Sequence, residues 1–202
     1  VKDGTGTFTS SIALSGGIVG ASANWASAMN MTLGTTNGSI TFQAADSGGV
    51  ARNISLSGTL SGSGGLIKVG SGTLTLSGVN TYTGNTVINA GSLVLSSGGE
   101  SRFSVQNGGT NNQLLGSGTV TIDDLFRLAM SGLTDTSGSW NLVNVSTLNE
   151  SFGSNFGLAF VGGPAFSNNN GGTYSSGNWT FSTLDGNLVL VPEPHTAAML
   201  CG

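Results

Sequence analysis

Residues 65–95 read GLIKVGSGTLTLSGVNTYTGNTVINAGSLVL, and this stretch decides the fold. Segments such as Leu74-Thr75-Leu76 have apolar residues at every second position, which is the period of a half-buried β-strand. Glycine and asparagine lie beside these short segments, and both residue types turn the chain because they reach positive φ at low cost. The stretch therefore predicts short strands joined by tight corners.

The same sequence pattern recurs along the chain. It reads IALSG at 12–16, ISLSG at 54–58, LTLSG at 74–78 and LVLSS at 93–97. The steps are 42, 20 and 19 residues, and we interpret the step of 42 as two turns of about 21. A period near 20 with short strands is typical of a β-solenoid, whose turns pair at a spacing of about 4.8 Å.

This spacing predicts how the side chains of the coil are arranged and how many turns it has. We expect two inward columns of stacked side chains, one formed by Leu56, Leu76 and Leu95 and the other by Ile54, Leu74 and Leu93. A chain of this length would hold about ten such turns. The fold class is therefore all-β, and a β-sandwich is the alternative because it too has many short strands. Helix-favouring residues occur only at 21–31 and 123–130, each long enough for a couple of turns.

The sequence changes character after residue 130, where aromatic residues become frequent. Residues 179–191 read WTFSTLDGNLVLV and predict a hairpin with Asp185-Gly186 in its turn. We therefore expect a solenoid over 1–130, a β-rich cap with an antiparallel hairpin over 131–190, and a tail over 191–202. Large side chains would let the cap bury area without help from neighbouring repeats.

Composition excludes several classes of protein. The chain has 35 glycines, and Gly, Ser, Thr and Asn together make up 106 of 202 residues. Leu, Ile, Val and Phe still make up about a quarter of the chain, which exceeds the level typical of disorder. The five Lys and Arg residues are scattered, so the sequence predicts no nucleic-acid surface. No run of about 18 apolar residues is present, so it predicts no membrane-spanning helix.

Residues 65–95 resemble the autotransporter-associated β-strand repeat, also called the passenger-associated transport repeat. The matching positions are Gly72, Leu74, Leu76, Gly78, Asn80, Tyr82, Gly84, Asn89, Gly91 and Leu93. The resemblance covers about a sixth of the chain. It implies a right-handed parallel β-helix in a secreted bacterial protein of the cell surface or extracellular matrix. It does not imply catalysis.

The end of the chain is similar to a second family signal. Val191-Pro192-Glu193-Pro194 matches the start of a PEP-CTERM sorting signal, and residues 196–200 would begin its apolar helix. In that family the signal directs exported proteins of Gram-negative bacteria to the surface or matrix.

Few residues could act in catalysis or bind a metal or cofactor, and we predict no catalytic, cofactor-binding or metal site. His195 is the only histidine and Cys201 the only cysteine, and both lie in the tail. Asp123 and Asp124 are adjacent, so in a strand they point to opposite faces and cannot cooperate as glycosidase carboxylates. We expect them to cap a segment at 125–130, with calcium binding as the alternative.

The sequence therefore predicts a structural protein rather than an enzyme. The first hypothesis is head-to-tail assembly of copies into fibres, with Thr7, Thr9 and Ile12 at one edge and Leu188 and Leu190 at the other. The alternative is a monomeric adhesin or carbohydrate-binding module that binds extracellular polysaccharide through exposed aromatic residues. The aromatic candidates are Trp25, Tyr82, Trp140, Tyr174 and Trp179, although we expect these residues to belong to the core or the cap. A polysaccharide-degrading β-helix enzyme is the remaining alternative, although 14 charged side chains supply few groups for one groove.

Overall fold

The computed structural model describes residues 11–146 and 150–192, and within them the chain is built of 25 short β-strands. The first seventeen strands are β1 (Ser11–Leu14), β2 (Ile18–Gly20), β3 (Trp25–Ser27), β4 (Asn30–Leu33), β5 (Ile40–Gln43), β6 (Ile54–Leu56), β7 (Leu60–Ser61), β8 (Leu66–Val69), β9 (Thr73–Leu76), β10 (Val79–Asn80), β11 (Thr86–Ile88), β12 (Ser92–Leu95), β13 (Glu100–Gln106), β14 (Thr110–Asn111), β15 (Leu114–Gly116), β16 (Thr119–Ile122) and β17 (Leu125–Ala129). They are followed by β18 (Gly138–Asn141), β19 (Val143–Val145), β20 (Glu150–Phe152), β21 (Gly157–Phe160), β22 (Ser167–Asn168), β23 (Thr173–Ser176), β24 (Trp179–Ser182) and β25 (Asn187–Leu190). A 3-10 turn at Asn107–Gly109 joins β13 to β14.

The coils stack into three parallel faces. One face has the order β2-β5-β8-β11-β15-β19 and a second has the order β3-β6-β9-β12-β16-β20. The third face consists of β1-β4-β7 and β10-β13-β17-β21. Backbone bonds from Thr81 N to Leu60 O at 2.7 Å and from Thr83 N to Gly62 O at 2.9 Å join its two parts. This architecture is a parallel β-solenoid, which confirms the predicted fold class and excludes the sandwich.

The predicted inward columns are confirmed. Ile54 pairs in register with Leu74, and Leu74 pairs with Leu93. Leu56, Leu76 and Leu95 form the neighbouring column in the same way. All six side chains are at most 2% exposed.

The length of the coils differs from the expected 20 residues outside the repeat. On the second face Trp25 pairs with Ile54, a step of 29 residues, and Leu93 pairs with Val120, a step of 27. The described residues therefore form six coils and the first strand of a seventh, and not about ten. The segment 12–16 also lies on the third face, where Ile12 pairs with Met31, so the expected alignment of IALSG with ISLSG was wrong.

Both segments with helix-favouring residues are strands. Residues 21–31 contribute β3 and the first half of β4, and residues 125–129 form β17, which pairs with β13 and β21. Propensity is a weak signal over so few residues, and pairing with neighbouring coils overrides it.

An antiparallel sheet with the order β18-β25-β24-β23-β22 packs against the last coil. The predicted hairpin is confirmed, since β24 pairs with β25 and Gly186 in the turn has φ 66°. Parallel coil strands continue to Phe160, so the solenoid extends beyond the expected boundary at residue 130. Among the described residues no helix is long and apolar enough to cross a membrane.

Candidate functional site

The repeat at 66–95 forms one and a half coils, and its glycines lie where coils touch. A Cβ on Gly72 would collide with the carbonyl oxygen of Arg52, and one on Gly91, at φ +67°, would collide with that of Gly70. Gly78 and Gly84 are equally close to backbone atoms of the preceding coil. The repeat requires glycine here because the corners of adjacent coils approach closely.

The polar residues of the repeat form structural hydrogen bonds. Asn80 is 3% exposed, its Oδ1 accepts from Leu60 N at 3.1 Å, and its Nδ2 donates to Gly78 O at 3.0 Å. The buried Tyr82 hydroxyl shares a 2.5 Å hydrogen bond with Thr86 Oγ1, and burial raises the pKa of Tyr82 to about 12. Asn89 is exposed at a corner, where its backbone N donates to Lys68 O at 2.9 Å.

Asparagine side chains also connect one coil to the next, which the sequence analysis missed. Asn24 Oδ1 accepts from Asn53 N at 2.8 Å, and Asn53 Oδ1 accepts from Thr73 N at 3.0 Å. Asn30 Oδ1 accepts from Thr59 N at 3.0 Å in the same manner. The signal in the sequence is an asparagine directly before a strand, as in Asn24-Trp25 and Asn53-Ile54.

Lys68 is fully buried, which the sequence did not indicate. Its Nζ donates to the carbonyl oxygens of Val69, Gly70 and Ala90 at 3.0, 2.7 and 3.0 Å. Burial lowers the pKa of Lys68 to about 8. The three acceptors compensate for lost hydration, so the ammonium group joins two coils.

The two adjacent aspartates point to opposite faces, as expected, but they cap no helix. Both carboxylate oxygens of Asp123 accept hydrogen bonds from Asn155, one from its N at 2.8 Å and one from its Nδ2 at 2.9 Å. Asp124 is 2% exposed, and its Oδ2 accepts from Ser101 Oγ at 2.6 Å. Burial raises the pKa of Asp124 to about 7. Both groups therefore connect neighbouring coils.

Four charged side chains form two separate ion pairs. Arg52 Nη2 lies 2.7 Å from Asp46 Oδ2, and Arg127 Nη2 lies 2.9 Å from Glu100 Oε1. Arg102 is the register partner of Arg127 and lines a cavity of only about 10 Å³, which holds at most about one water. Within 11–146 and 150–192, no three acidic, histidine or cysteine side chains gather as a metal site would require.

The predicted assembly edges are only partly described. Ile12 lies in β1 and packs partly buried against the core, while Thr7 and Thr9 lie outside the described residues. Leu188 and Leu190 do not form an open edge, because β25 pairs with β18 on one side and with β24 on the other. Leu188 is fully buried. The prediction of a free edge there was wrong since β18 supplies an antiparallel partner from residues 138–141.

The aromatic side chains proposed to stack on sugars are buried or half-buried. Trp140 is fully buried, Tyr82 and Tyr174 are 8% exposed, and Trp25 and Trp179 pack partly buried against the core. The expectation that these five residues are core or cap residues is therefore confirmed, and they form no exposed aromatic surface on which a sugar could stack. In the sorting motif, Val191 and Pro192 are exposed directly after β25, whereas Glu193, Pro194, His195 and Cys201 lie outside the described residues.

Comparison with known proteins gives a family match to the repeat. Residues 66–95 match the model of the passenger-associated-transport-repeat. The chain is 44% identical over 90 residues to the adhesin BmaC autotransporter of Brucella suis biovar 1, which is 43% of this chain and 2% of that protein. It is 45% identical over 78 residues to an extracellular serine protease of Serratia marcescens, which is 39% of this chain and 7% of that protein.

A third relative is the Neisserial autotransporter lipoprotein NalP of Neisseria meningitidis serogroup B, 37% identical over 118 residues. That match covers 53% of this chain and 11% of NalP. No solved structure matches the chain. The matched part of the chain thus spans between 2% and 11% of the length of these relatives.

Proposed function

We propose that this chain is an extracellular structural protein, a solenoid displayed at the bacterial surface, and that it catalyses no reaction. The observation that carries the proposal is the passenger-type repeat within a continuous parallel coil, whose buried columns are apolar. The charged side chains support the same role, because the pairs at Arg52 and Arg127 are local and Lys68 and Asp124 hold coils together. One relative is an adhesin, which agrees with a surface role.

Surface display can be tested in the bacterium that encodes the chain. An epitope tag inserted after Gly171, in the exposed turn between β22 and β23, leaves the coils untouched. We expect antibody to label intact cells or the culture medium. Tagged protein found only in lysed cells would overturn the proposal.

The tail motif would direct this export, as its similarity to a PEP-CTERM signal suggests. Val191 is 51% exposed and follows the last strand, so the start of the motif is accessible in the folded chain. Replacing Pro192, Glu193 and Pro194 together by alanine should abolish surface delivery and leave the total amount of folded protein unchanged. Unchanged delivery would show that the motif has no sorting role.

Self-association through the first coil is a second candidate role. Ile12, Leu14, Val19 and Trp25 contact the core but stay only partly buried, and β1, β2 and β3 each pair on one side within the described residues. A second copy could bury these side chains. Ile12→Lys should give monomers in sedimentation velocity, whereas Ala13→Lys, on the outward face of the same strand, should assemble like the wild type. A wild type that stays monomeric at high concentration would contradict this role.

A further inference from the structure

A polar cleft lies where a hairpin leaves the regular coil. The hairpin consists of β13, the 3-10 turn and β14, with Gln106 paired to Thr110. The cleft beside it has a volume of about 310 Å³ and is lined by seven residues, of which three carry hydroxyl and four carry amide side chains. Ser104 and Gln106 lie on the outward face of β13, because they alternate with Phe103 and Val105, which are buried.

The frame of the cleft is held by hydrogen bonds. Asn112 Oδ1 accepts from Ser104 N at 2.7 Å, and Asn112 Nδ2 donates to Arg102 O at 3.0 Å. Asn111 Nδ2 donates to Asn141 O at 2.7 Å, and Trp140 Nε1 donates to Gln106 O at 2.6 Å. These bonds fix the backbone of the hairpin to β18 and orient the side chains of Asn111 and Asn112 before any ligand arrives.

Other groups in the cleft keep unused hydrogen-bonding capacity. Asn85 Oδ1 accepts from Gln113 N at 3.0 Å, which orients the amide, while Asn85 Nδ2 has no partner among the described residues. In the same part of the chain, the Gln106 amide and the hydroxyls of Thr83, Ser104 and Thr110 have none either. A ligand can therefore meet several donors and acceptors without breaking a bond within the protein.

The chemistry of this lining selects the ligand. None of the seven lining residues is charged, so a phosphate or carboxylate would find no cation to pair with. None is aromatic or aliphatic, so an apolar ligand would find little to contact. We propose that the cleft binds a sugar unit of a neutral saccharide, whose hydroxyls both donate and accept hydrogen bonds. The structural role proposed above does not depend on this cleft.

Nuclear magnetic resonance of the ¹⁵N-labelled chain tests the proposal without any substitution. The probes are cellotetraose, maltotetraose and tetra-N-acetylchitotetraose, with tetragalacturonate as the acidic comparison. We expect at least one neutral probe to shift the side-chain amide signals of Asn85, Gln106 and Asn111, and to leave that of Gln43 on the outward face of β5 unchanged. No shift with any neutral probe, or a stronger response to tetragalacturonate, would overturn the proposal.

Matched variants measure the contribution of single groups. Thr83→Val and Gln106→Ala each remove unpaired polar atoms from exposed side chains, and each should weaken binding by about two- to tenfold. Gln43→Ala and Thr75→Val make the same changes on outward faces away from the cleft and should bind like the wild type. Equal affinity of the cleft variants and these controls would contradict the assignment.

Discussion

The parallel coils and the C-terminal antiparallel sheet bury their apolar residues in different ways. In the coils Leu74 lies between Ile54 and Leu93, so one aliphatic side chain packs on another of similar size in successive coils. In the sheet Phe181 contacts the rings of Phe126, Phe152 and Phe156, with centroids 5.8 to 6.4 Å apart.

The difference follows from the number of neighbours. A residue inside the stack has an equivalent residue on both sides at about 4.8 Å, and repetition alone completes its packing. The antiparallel sheet packs on the end of the stack and uses aromatic rings, which bury about 150–250 Å² each. The stability of the coils therefore depends on the register of stacked side chains, whereas the stability of the terminal sheet depends on a few contacts between large aromatic rings.

The largest expected effect comes from a charge inside a column. Leu76→Asp would bury an unpaired carboxylate where the side chain is 2% exposed, and it should cost more than about 4 kcal/mol and prevent folding. Thr75→Lys, on the outward face of the same strand, should change stability by less than about 0.5 kcal/mol. Circular dichroism with urea titration measures both, and a cooperatively folded Leu76→Asp would contradict the register.

The aromatic cluster provides the next test. Phe181→Ala removes a fully buried ring and should destabilise the protein by about 3–5 kcal/mol. Leu184→Ala is the control, since Leu184 lies between the last two strands and is 83% exposed. Equal urea midpoints for the two variants would show that the rings do not hold the sheet.

A buried carboxyl should make coil stability depend on pH. Burial raises the pKa of Asp124 to about 7 from 3.8, so between these values the folded chain holds a proton that the unfolded chain has lost. The wild type should therefore lose about 2–4 kcal/mol of stability as the pH rises from about 4 to above 7. Asp124→Asn should be the more stable protein at pH 8 and should match the wild type at pH 4. Parallel pH profiles in urea unfolding would be inconsistent with a buried, protonated Asp124.

The smallest expected effect concerns the corners between coils. Gly72→Ala places a methyl group against the backbone of Arg52 and Ala44 and should cost about 1–3 kcal/mol. Gly20→Ala is the matched control for this variant, because no atom lies within 4 Å of a Cβ at Gly20 and the residue is not in the left-handed region. It should be neutral or stabilise by about 0.4–1 kcal/mol. Thermal unfolding of both variants would show whether close coil contact requires the glycine.

Sequence reasoning predicted the repeated coils because their period is regular. Between Ile54 and Leu95 the steps are 19 and 20 residues, and register follows from spacing alone. Outside this range, the hairpin at Gln106 and the loop near residue 132 lengthen the coils. Counting from IALSG at 12–16 then assigned that segment to the wrong face, because spacing does not indicate which of three faces a strand joins.

The candidate sites were less predictable for a related reason. The segment around Leu188 has the alternating pattern of an edge strand, and only its pairing with β18 in the folded structure shows that the strand is enclosed. The cleft at Asn85 and Gln106 combines residues from two coils, and in a chain with 19 asparagines no single amide is distinctive. For Trp140 the sequence favoured a core or cap role over sugar stacking, and its complete burial agrees with that expectation.

The solenoid requires that β9 and β12 pair in parallel and in register, and disulfide trapping measures this pairing. In a Cys201→Ser background, cysteines at Thr75 and Val94 lie directly opposite, at about 4.8 Å between Cα atoms, within the range that a disulfide spans. Cysteines at Thr75 and Ser92 are two residues out of register, about 8 Å apart, and exceed that range. We expect mass spectrometry after mild oxidation to find the first pair crosslinked within one chain and the second pair free. Crosslinking of Thr75 with Ser92 instead would place the two strands in a different register and would contradict the stacked columns of the solenoid.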